Sequence, residues 1–248
     1  MKTLSLTKSD IYKGSLILVS PDHPVRNNVD EIELSNLSDI NPEVSLESET
    51  AAIFQSALEA LNLQGEITVI SGFRSDDEQK SIYSDSLLEN GLDFTSKYVA
   101  IPGHSEHQTG MAIDMALVTP DINFLTPYFP YEGVCQKFRE NISSYGFIER
   151  YPLGKEHITQ IGHEPWHFRY VGTPHADIMN ENNLTLEEYI DMLREYAYDK
   201  TPLRFDKFGT SYEIGFIDLK ADTFEISISE RHHAISGNNV DGLILTKW

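Results

Sequence analysis

Cysteine is nearly missing: Cys135 is the only one in 248 residues. Neither an intramolecular disulfide nor a thiolate zinc cluster can form, and a cytoplasmic setting is expected. Cationic side chains are scarce as well, with 19 Lys and Arg against 39 Asp and Glu and a net charge of −20. A basic surface for nucleic acid cannot be assembled from that balance, and association with an anionic membrane is disfavoured. There is no run of about 18 apolar residues, which excludes a transmembrane helix. Met1–Asp10 has no apolar h-region and no run of basic residues, so no signal peptide is expected. What is present is an ordinary globular composition, 40% hydrophobic. The length fits one large domain, or one of about 180 residues with a smaller appendage. The oligomeric state is not legible.

Along the chain, Gly14–Ser20 reads as a short buried strand ended by Pro21-Asp22-His23-Pro24. Val25–Val44 is polar, with turn signals at Asn27-Asn28 and Asn41-Pro42, and is expected to be extended or looped. Ala51, Phe54, Ala57, Leu58 and Leu61 recur at helical spacing and predict a helix over Glu47–Leu63. Glu66–Ile70 is a strand, turned by Ser71-Gly72-Phe73-Arg74-Ser75. Ser75-Asp76-Asp77-Glu78 then opens a helix that Asn90-Gly91 stops. Phe94–Ala100 leads on to Ala112–Ala116, a strand. Thr119–Tyr131 holds three prolines and must be a loop, and Tyr131–Tyr145 is a helix stopped by Gly146. Phe147–Tyr151 is extended, and Trp166–Gly172 alternates as an aromatic strand. Leu184–Tyr198 is a helix with Thr185 as its N-cap. Beyond Thr201-Pro202 the chain turns β-like at Tyr212–Leu219, Thr223–Ser229 and Leu243–Leu245, a small antiparallel sheet. The expected organisation is a catalytic domain over 1–199 and a C-terminal β extension over 200–248 packed on it.

Two clusters carry the chemistry. In Gly103-His104-Ser105-Glu106-His107-Gln108-Thr109-Gly110-Met111-Ala112-Ile113-Asp114, His107 and Asp114 are metal ligands by type, with the small residues Gly110 and Ala112 between them. Glu164-Pro165-Trp166-His167 follows about fifty residues later. Together they offer two imidazoles and a carboxylate for tetrahedral zinc with an open fourth position, plus a spare carboxylate. Zinc chemistry needs an acid–base partner. Glu164 is free to take a proton from the attacking water and hand it to a leaving amine. Glu164 and His167 are three apart and would face opposite ways on an ideal strand. Pro165 cannot donate to a ladder and belongs at a strand's beginning. Glu164 is therefore expected on the loop before the strand, with Trp166 pointing into the core.

His163-Glu164-Pro165-Trp166-His167 also matches H-E-x-x-H literally. That pattern needs both histidines on one face of a helix interior, where Pro165 would break the helix, so the match is rejected. Arg74 is the third element: it follows a strand end in a Gly-containing turn, where it can stabilise an oxyanion beside the metal.

Ser71-Gly72-Phe73-Arg74-Ser75, Ser105-x-His107-x-x-Gly110-x-Ala112-x-Asp114 and Glu164-x-Trp166-His167, in that order, resemble the signatures of the zinc D,D-peptidases. This group comprises VanX dipeptidases, VanY carboxypeptidases and bifunctional VanXY enzymes. The wording Pro102-Gly103-His104-Ser105-Glu106-His107-Gln108-Thr109-Gly110 is similar to VanY and VanXY, and the G-type of VanXY is the nearest likeness. The resemblance spans residues 14 to 175. It implies an α+β fold, with a central antiparallel sheet flanked by helices as in the hedgehog signalling domain. It implies Zn2+ on His107, Asp114 and His167, with Glu164 as base and Arg74 on the oxyanion. It places Gln79, Ser105 and Ser71 at the substrate. The implied activity is hydrolysis of D-Ala-D-Ala and removal of the terminal D-Ala from UDP-MurNAc-pentapeptide, sparing D-Ala-D-Ser ends and so lowering vancomycin's target.

Rival expectations are a wall endopeptidase or L,D-carboxypeptidase of the same fold, and a zinc-binding module without catalysis. Glu164 and Arg74 weigh against the last. His104 and His163 are expected as neighbouring or surface histidines, and His232-His233 as solvated.

Overall fold

In a computed structural model, residues 2–26, 32–219, 221–228 and 232–248 are described. The chain order is β1 (Lys2–Thr7), β2 (Leu34–Leu37), β3 (Asn41–Glu47), α1 (Ser48–Leu61), β4 (Ile67–Ser71), α2 (Asp76–Asn90), α3 (Leu92–Tyr98), β5 (Ala112–Leu117), α4 (Gly133–Asn141), β6 (Phe147–Tyr151), α5 (Glu156–Thr159) and β7 (Glu164–Tyr170). Then come α6 (His175–Asn182), α7 (Leu186–Leu193), β8 (Leu203–Lys207), β9 (Thr210–Asp218), β10 (Thr223–Ile228), β11 (His233–Gly237) and β12 (Gly242–Lys247). This is the expected α+β class. The break, however, does not fall at residue 199. One compact unit is Val19–Asn180, and the other joins Met1–Leu18 to Glu181–Trp248.

The first unit is built on a four-stranded sheet in the order β4-β5-β7-β6, antiparallel throughout. Helix α1 lies where its periodicity places it, burying Ala51, Phe54, Ala57 and Leu58. The Glu47 carboxylate caps it, accepting from the Glu49 and Thr50 amides. Helix α2 begins with the expected capping box. Ser75 Oγ accepts from the Glu78 amide at 3.2 Å, and Glu78 returns the bond to the Ser75 amide at 2.7 Å. An aromatic core backs the sheet: Phe54, Phe129, Phe138, Phe147 and Phe168 meet edge-on at 5.0 to 6.3 Å between ring centres. Edge-to-face contact suits the ring quadrupoles and fixes how α1 and α4 seat on β6 and β7.

Several expectations change in detail. The region 25–44 contains a hairpin arm: β2 pairs with β3, and Asn41-Pro42 opens β3 instead of turning. The Asn27-Asn28 signal lies outside the described residues. Residues 92–98, read as a lead-in, form α3, and α6 is a further helix. Helix α7 is shorter than expected, although Thr185 caps it.

In the second unit β8, β9, β12 and β11 form an antiparallel sheet. Strand β10 leaves that sheet and pairs antiparallel with β1, so the tail is not one small sheet; Ser229 lies outside the described residues. Leu16–Val19 is buried as expected but is not a strand. Its backbone bonds to side chains and loop groups. The Leu16 amide donates to Ser236 Oγ and the Leu18 amide to the Asn238 carbonyl, while Asn239 Nδ2 donates to the Leu18 carbonyl. Loop groups replace a ladder, so hydrophobic burial alone misreads the segment.

A candidate metal centre in a cleft

Sheet register builds the site. Asp114 on β5 is paired directly with His167 on β7, and Ser71 at the end of β4 pairs with Asp114. Directly opposed residues present their side chains on one face, which sets Ser71, Asp114 and His167 in a row. His107 arrives from a 3-10 turn, Glu106–Thr109, just before β5. His107, Asp114 and His167 each offer a ligand atom, all within 4.8 Å of one another. All three are buried.

The nitrogens turned away from the centre are engaged. His107 Nδ1 meets the Gly72 carbonyl at 2.7 Å, leaving Nε2 facing Asp114 Oδ2 at 3.2 Å. His167 Nε2 meets Glu106 Oε2 at 3.3 Å, leaving Nδ1 at 2.9 Å from Asp114 Oδ1. A carbonyl or carboxylate on the far nitrogen fixes the tautomer and orients the ring, as metal-ligating histidines require. Two neutral imidazoles and one carboxylate are a zinc-type donor set, and these residues fit such an ion.

Two glycines make the geometry possible. A Cβ on Gly72 would stand 2.4 Å from the Ser45 carbonyl oxygen, so only glycine lets the carbonyl that holds His107 approach this closely. Gly110 has φ +71°, and a Cβ there would lie 2.8 Å from the Glu47 amide nitrogen. The constraint on Gly110 is therefore a left-handed turn against Glu47, not room beside the metal, as its smallness suggests.

Glu164 does not sit on a loop. It is the first residue of β7, paired with Tyr151. Between that pair and Glu149–Phe168, Arg150 alone opposes Pro165, Trp166 and His167. This bulge changes the facing of side chains, so Glu164 and His167 both line the cleft, and Trp166, buried in the core as expected, also contributes to its wall. The Glu164 carboxylate makes no hydrogen bond among the described residues. His167 Nδ1 is 3.9 Å from it.

Arg74 Nη2 donates to Asp114 Oδ2 at 2.8 Å and its Nε to Ser71 Oγ at 2.8 Å. Ser71 thus holds Arg74. Gln79 is buried with Nε2 on the Ala100 carbonyl at 2.8 Å, and its Oε1 has no partner among the described residues. Ser105 is buried beside it. All line one cleft of about 240 Å³, walled also by Phe124 and Leu125 of the 119–131 loop.

Sequence reasoning missed Glu106. It is fully buried and holds Arg150 Nε at 2.9 Å and Arg169 Nη1 at 2.8 Å on one oxygen, with His167 on the other. The signal was available: Arg150 and Arg169 each interrupt a strand of aromatic and apolar residues, and a buried cation needs an acid.

His163 lies outside the ligand group. Its Nε2 is 2.7 Å from the Tyr131 hydroxyl, with the rings stacked. His163→Ala is therefore expected to leave the metal content unchanged, as elemental analysis of the purified variant would show. Loss of metal would restore the H-E-x-x-H reading.

Burial sets the protonation states. It pushes the His107 ring down, helped by the Arg74 charge, which suits a neutral ligand. Burial also opposes charge on His167, but hydrogen bonds to Asp114 and Glu106 outweigh it and lift the ring to about 9. Burial works against charge on Asp114 too, yet the two imidazoles hold its carboxyl well below the usual range. On Glu106 the two guanidiniums likewise overcome burial and keep it ionised. Burial lifts Glu164 to about 8.

A family model, VanY, D-alanyl-D-alanine carboxypeptidase, matches residues 43–173. The bifunctional D-Ala-D-Ala dipeptidase and D-Ala-D-Ala carboxypeptidase VanXYC of Enterococcus gallinarum is 38% identical over 183 residues, 73% of this chain and 96% of that one. The vancomycin-resistance D,D-dipeptidase VanXYg, solved with a D-Ala-D-Ala phosphinate analog, superposes with a TM-score of 0.96 at 43% identity, covering 100% of this chain and 98% of that one. A VanY D,D-pentapeptidase mutant from a VanB-type resistance cassette, solved with Zn(II), gives a TM-score of 0.60 at 32% identity over 71% of this chain and 98% of its own.

Proposed function

The chain belongs to the VanY family of D-alanyl-D-alanine carboxypeptidases and is a peptidase, and from that premise we propose that it is a zinc D,D-dipeptidase and D,D-carboxypeptidase. Its substrates are D-Ala-D-Ala and the terminal D-Ala of UDP-MurNAc-pentapeptide, and its place is vancomycin resistance, acting on precursors in the cytoplasm. Among the described residues no helix is long and apolar enough to cross a membrane. The observation that carries the reading is the convergence of His107, Asp114 and His167 beside an otherwise uncommitted Glu164 in one cleft.

In this reading His107, Asp114 and His167 would hold zinc, which when bound would supply Lewis acidity and activate water at neutral pH. Glu164 takes a proton from the attacking water and passes it to the leaving amine of the terminal D-alanine. Burial lifts Glu164 to about 8, and a divalent cation held beside it would favour the ionised carboxylate. Arg74, steadied by Ser71, donates to the oxyanion that develops at the scissile carbonyl. Gln79 and Ser105 meet the substrate, with the free Gln79 Oε1 as an acceptor.

The test is release of free D-alanine from D-Ala-D-Ala and from UDP-MurNAc-pentapeptide, with and without a zinc chelator. Chelator-sensitive release from both is expected. No release from either by zinc-loaded protein would overturn the assignment.

A pH dependence follows from His167. Its metal-free ring titrates near 9, so below that pH a proton must leave before the ligand nitrogen is available. Apparent zinc affinity is expected to rise about tenfold to a hundredfold per pH unit between about pH 6 and 8, His167 giving up one proton and Glu164 a second as far as the cation ionises it. Competition with a chromophoric chelator reads this directly, and a flat profile would contradict the proton's location.

A further inference from the structure

Glu164 carries the proposed proton transfer, yet no side chain holds its carboxylate. What holds it is backbone on either side. On one side is the Pro165 carbonyl, which accepts from Arg139 Nη2 at 2.8 Å. On the other is His163, whose Nε2 meets the Tyr131 hydroxyl at 2.7 Å. Tyr131 gives its only proton to Glu149 Oε1, so His163 Nε2 is the donor in its own contact. Glu149 Oε2 in turn takes Arg139 Nε at 2.6 Å. The flanks of Glu164 thus close on one cluster.

Arg139 is its centre. The guanidinium also bonds the Phe129 carbonyl at 3.3 Å, the Pro130 carbonyl at 3.2 Å and the Cys135 carbonyl at 3.5 Å. That uses all five of its N–H groups. The Tyr131 ring covers it, with the guanidinium carbon 4.0 Å from the ring centre. A planar fork with five fixed donors can span acceptors on a loop, a helix and a bulged strand, where an ammonium cannot. The cluster does not line the cleft, so it acts through other residues.

We propose that Arg139 is the positioning residue for Glu164. It locks the β7 bulge through Pro165, while Tyr131 locks His163, so the carboxylate is aimed without a side-chain partner that would compete for its proton. This rests on the reading of Glu164 as base. The rival role for Arg139 is to hold the 119–131 loop through its bonds to Phe129 and Pro130, and it makes a different prediction.

The experiment is a double-mutant cycle on zinc-loaded protein with D-Ala-D-Ala, using Arg139→Lys, Glu164→Gln and the pair. Displacing a reacting group by about 1 Å can cost about a hundredfold. Arg139→Lys is expected to lower kcat about ten- to a hundredfold, with KM and bound zinc within about twofold. In the Glu164→Gln background the same change is expected to have no further effect, since its target is gone. An equal fold-loss in both backgrounds would overturn the proposal, as would a raised KM with kcat intact, which marks the loop role. Should Arg139→Lys not fold, Tyr131→Phe enters the same cycle, with a several-fold loss of kcat expected in wild type and none beside Glu164→Gln. If Glu164→Gln alone leaves turnover intact, the base assignment itself fails, and that outcome is distinct from additivity in the cycle.

Discussion

Glutamine in place of Glu164 is expected to lower kcat by about 10²–10⁴-fold while the protein still binds its zinc. The change is isosteric, so no cavity opens in a site where Glu164 is only 6% exposed. It removes the proton acceptor and leaves His107, Asp114 and His167 untouched. Metal content and turnover should therefore separate: one zinc per chain by elemental analysis, and D-alanine release at or near background. KM should hardly move, because the group acts on the water and the leaving amine. Turnover within about tenfold of wild type would place the base elsewhere in the cleft.

The second large effect concerns stability. Glu106→Gln is expected to cost about 3–5 kcal/mol, because it removes the negative charge that two buried guanidiniums share. Arg150 and Arg169 are 1% and 0% exposed and share one oxygen of Glu106. A neutral amide keeps an acceptor oxygen there but not the charge. Urea unfolding of the metal-free protein reads this loss. The pair Glu106→Gln with Arg169→Met should lose less than Glu106→Gln alone, since one of the two buried positive charges is removed together with the negative one. Zinc affinity should fall about ten- to a hundredfold as well, because His167 loses the carboxylate on its far nitrogen. A variant as stable as wild type would mean that the charge cluster contributes nothing net.

The site was largely written in the sequence, and the reason is chemical. Histidine, aspartate and glutamate at fixed short spacings have few uses, and the three motifs occur in order. The fold brings the side chains expected at the metal, the proton transfer and the substrate to one cleft, while Gly110 and Ala112 lie outside its lining. What stayed hidden is what depends on pairing between distant segments. The bulge that turns Glu164 and His167 to one side is a property of β6 against β7, and neither strand alone announces it. Glu106 drew no role from the sequence because its two arginine partners lie over forty residues away. Among the elements, α1 and α2 were legible from periodicity and capping. The hairpin arm β2 was not, since its burial pattern leaves mostly polar or half-exposed positions. Leu16–Val19 was read correctly as buried and wrongly as a strand, because hydrophobicity reports where a segment goes, not what bonds it there.

The pairing of β1 with β10 bears on how the chain is made. Lys2–Thr7 leaves the ribosome long before its partner, Thr223–Ile228, exists. Chains emerge at about 5–20 residues per second, so this first segment waits on the order of tens of seconds with its strand edge unpaired. Val19–Asn180 is contiguous and has all its sheet partners by the time β7 is out. The cleft can thus form during synthesis, while the unit that joins Met1–Leu18 to Glu181–Trp248 closes later. A stalled nascent chain ending near residue 200 should already protect the cleft region from protease and leave its first eighteen residues open to cleavage.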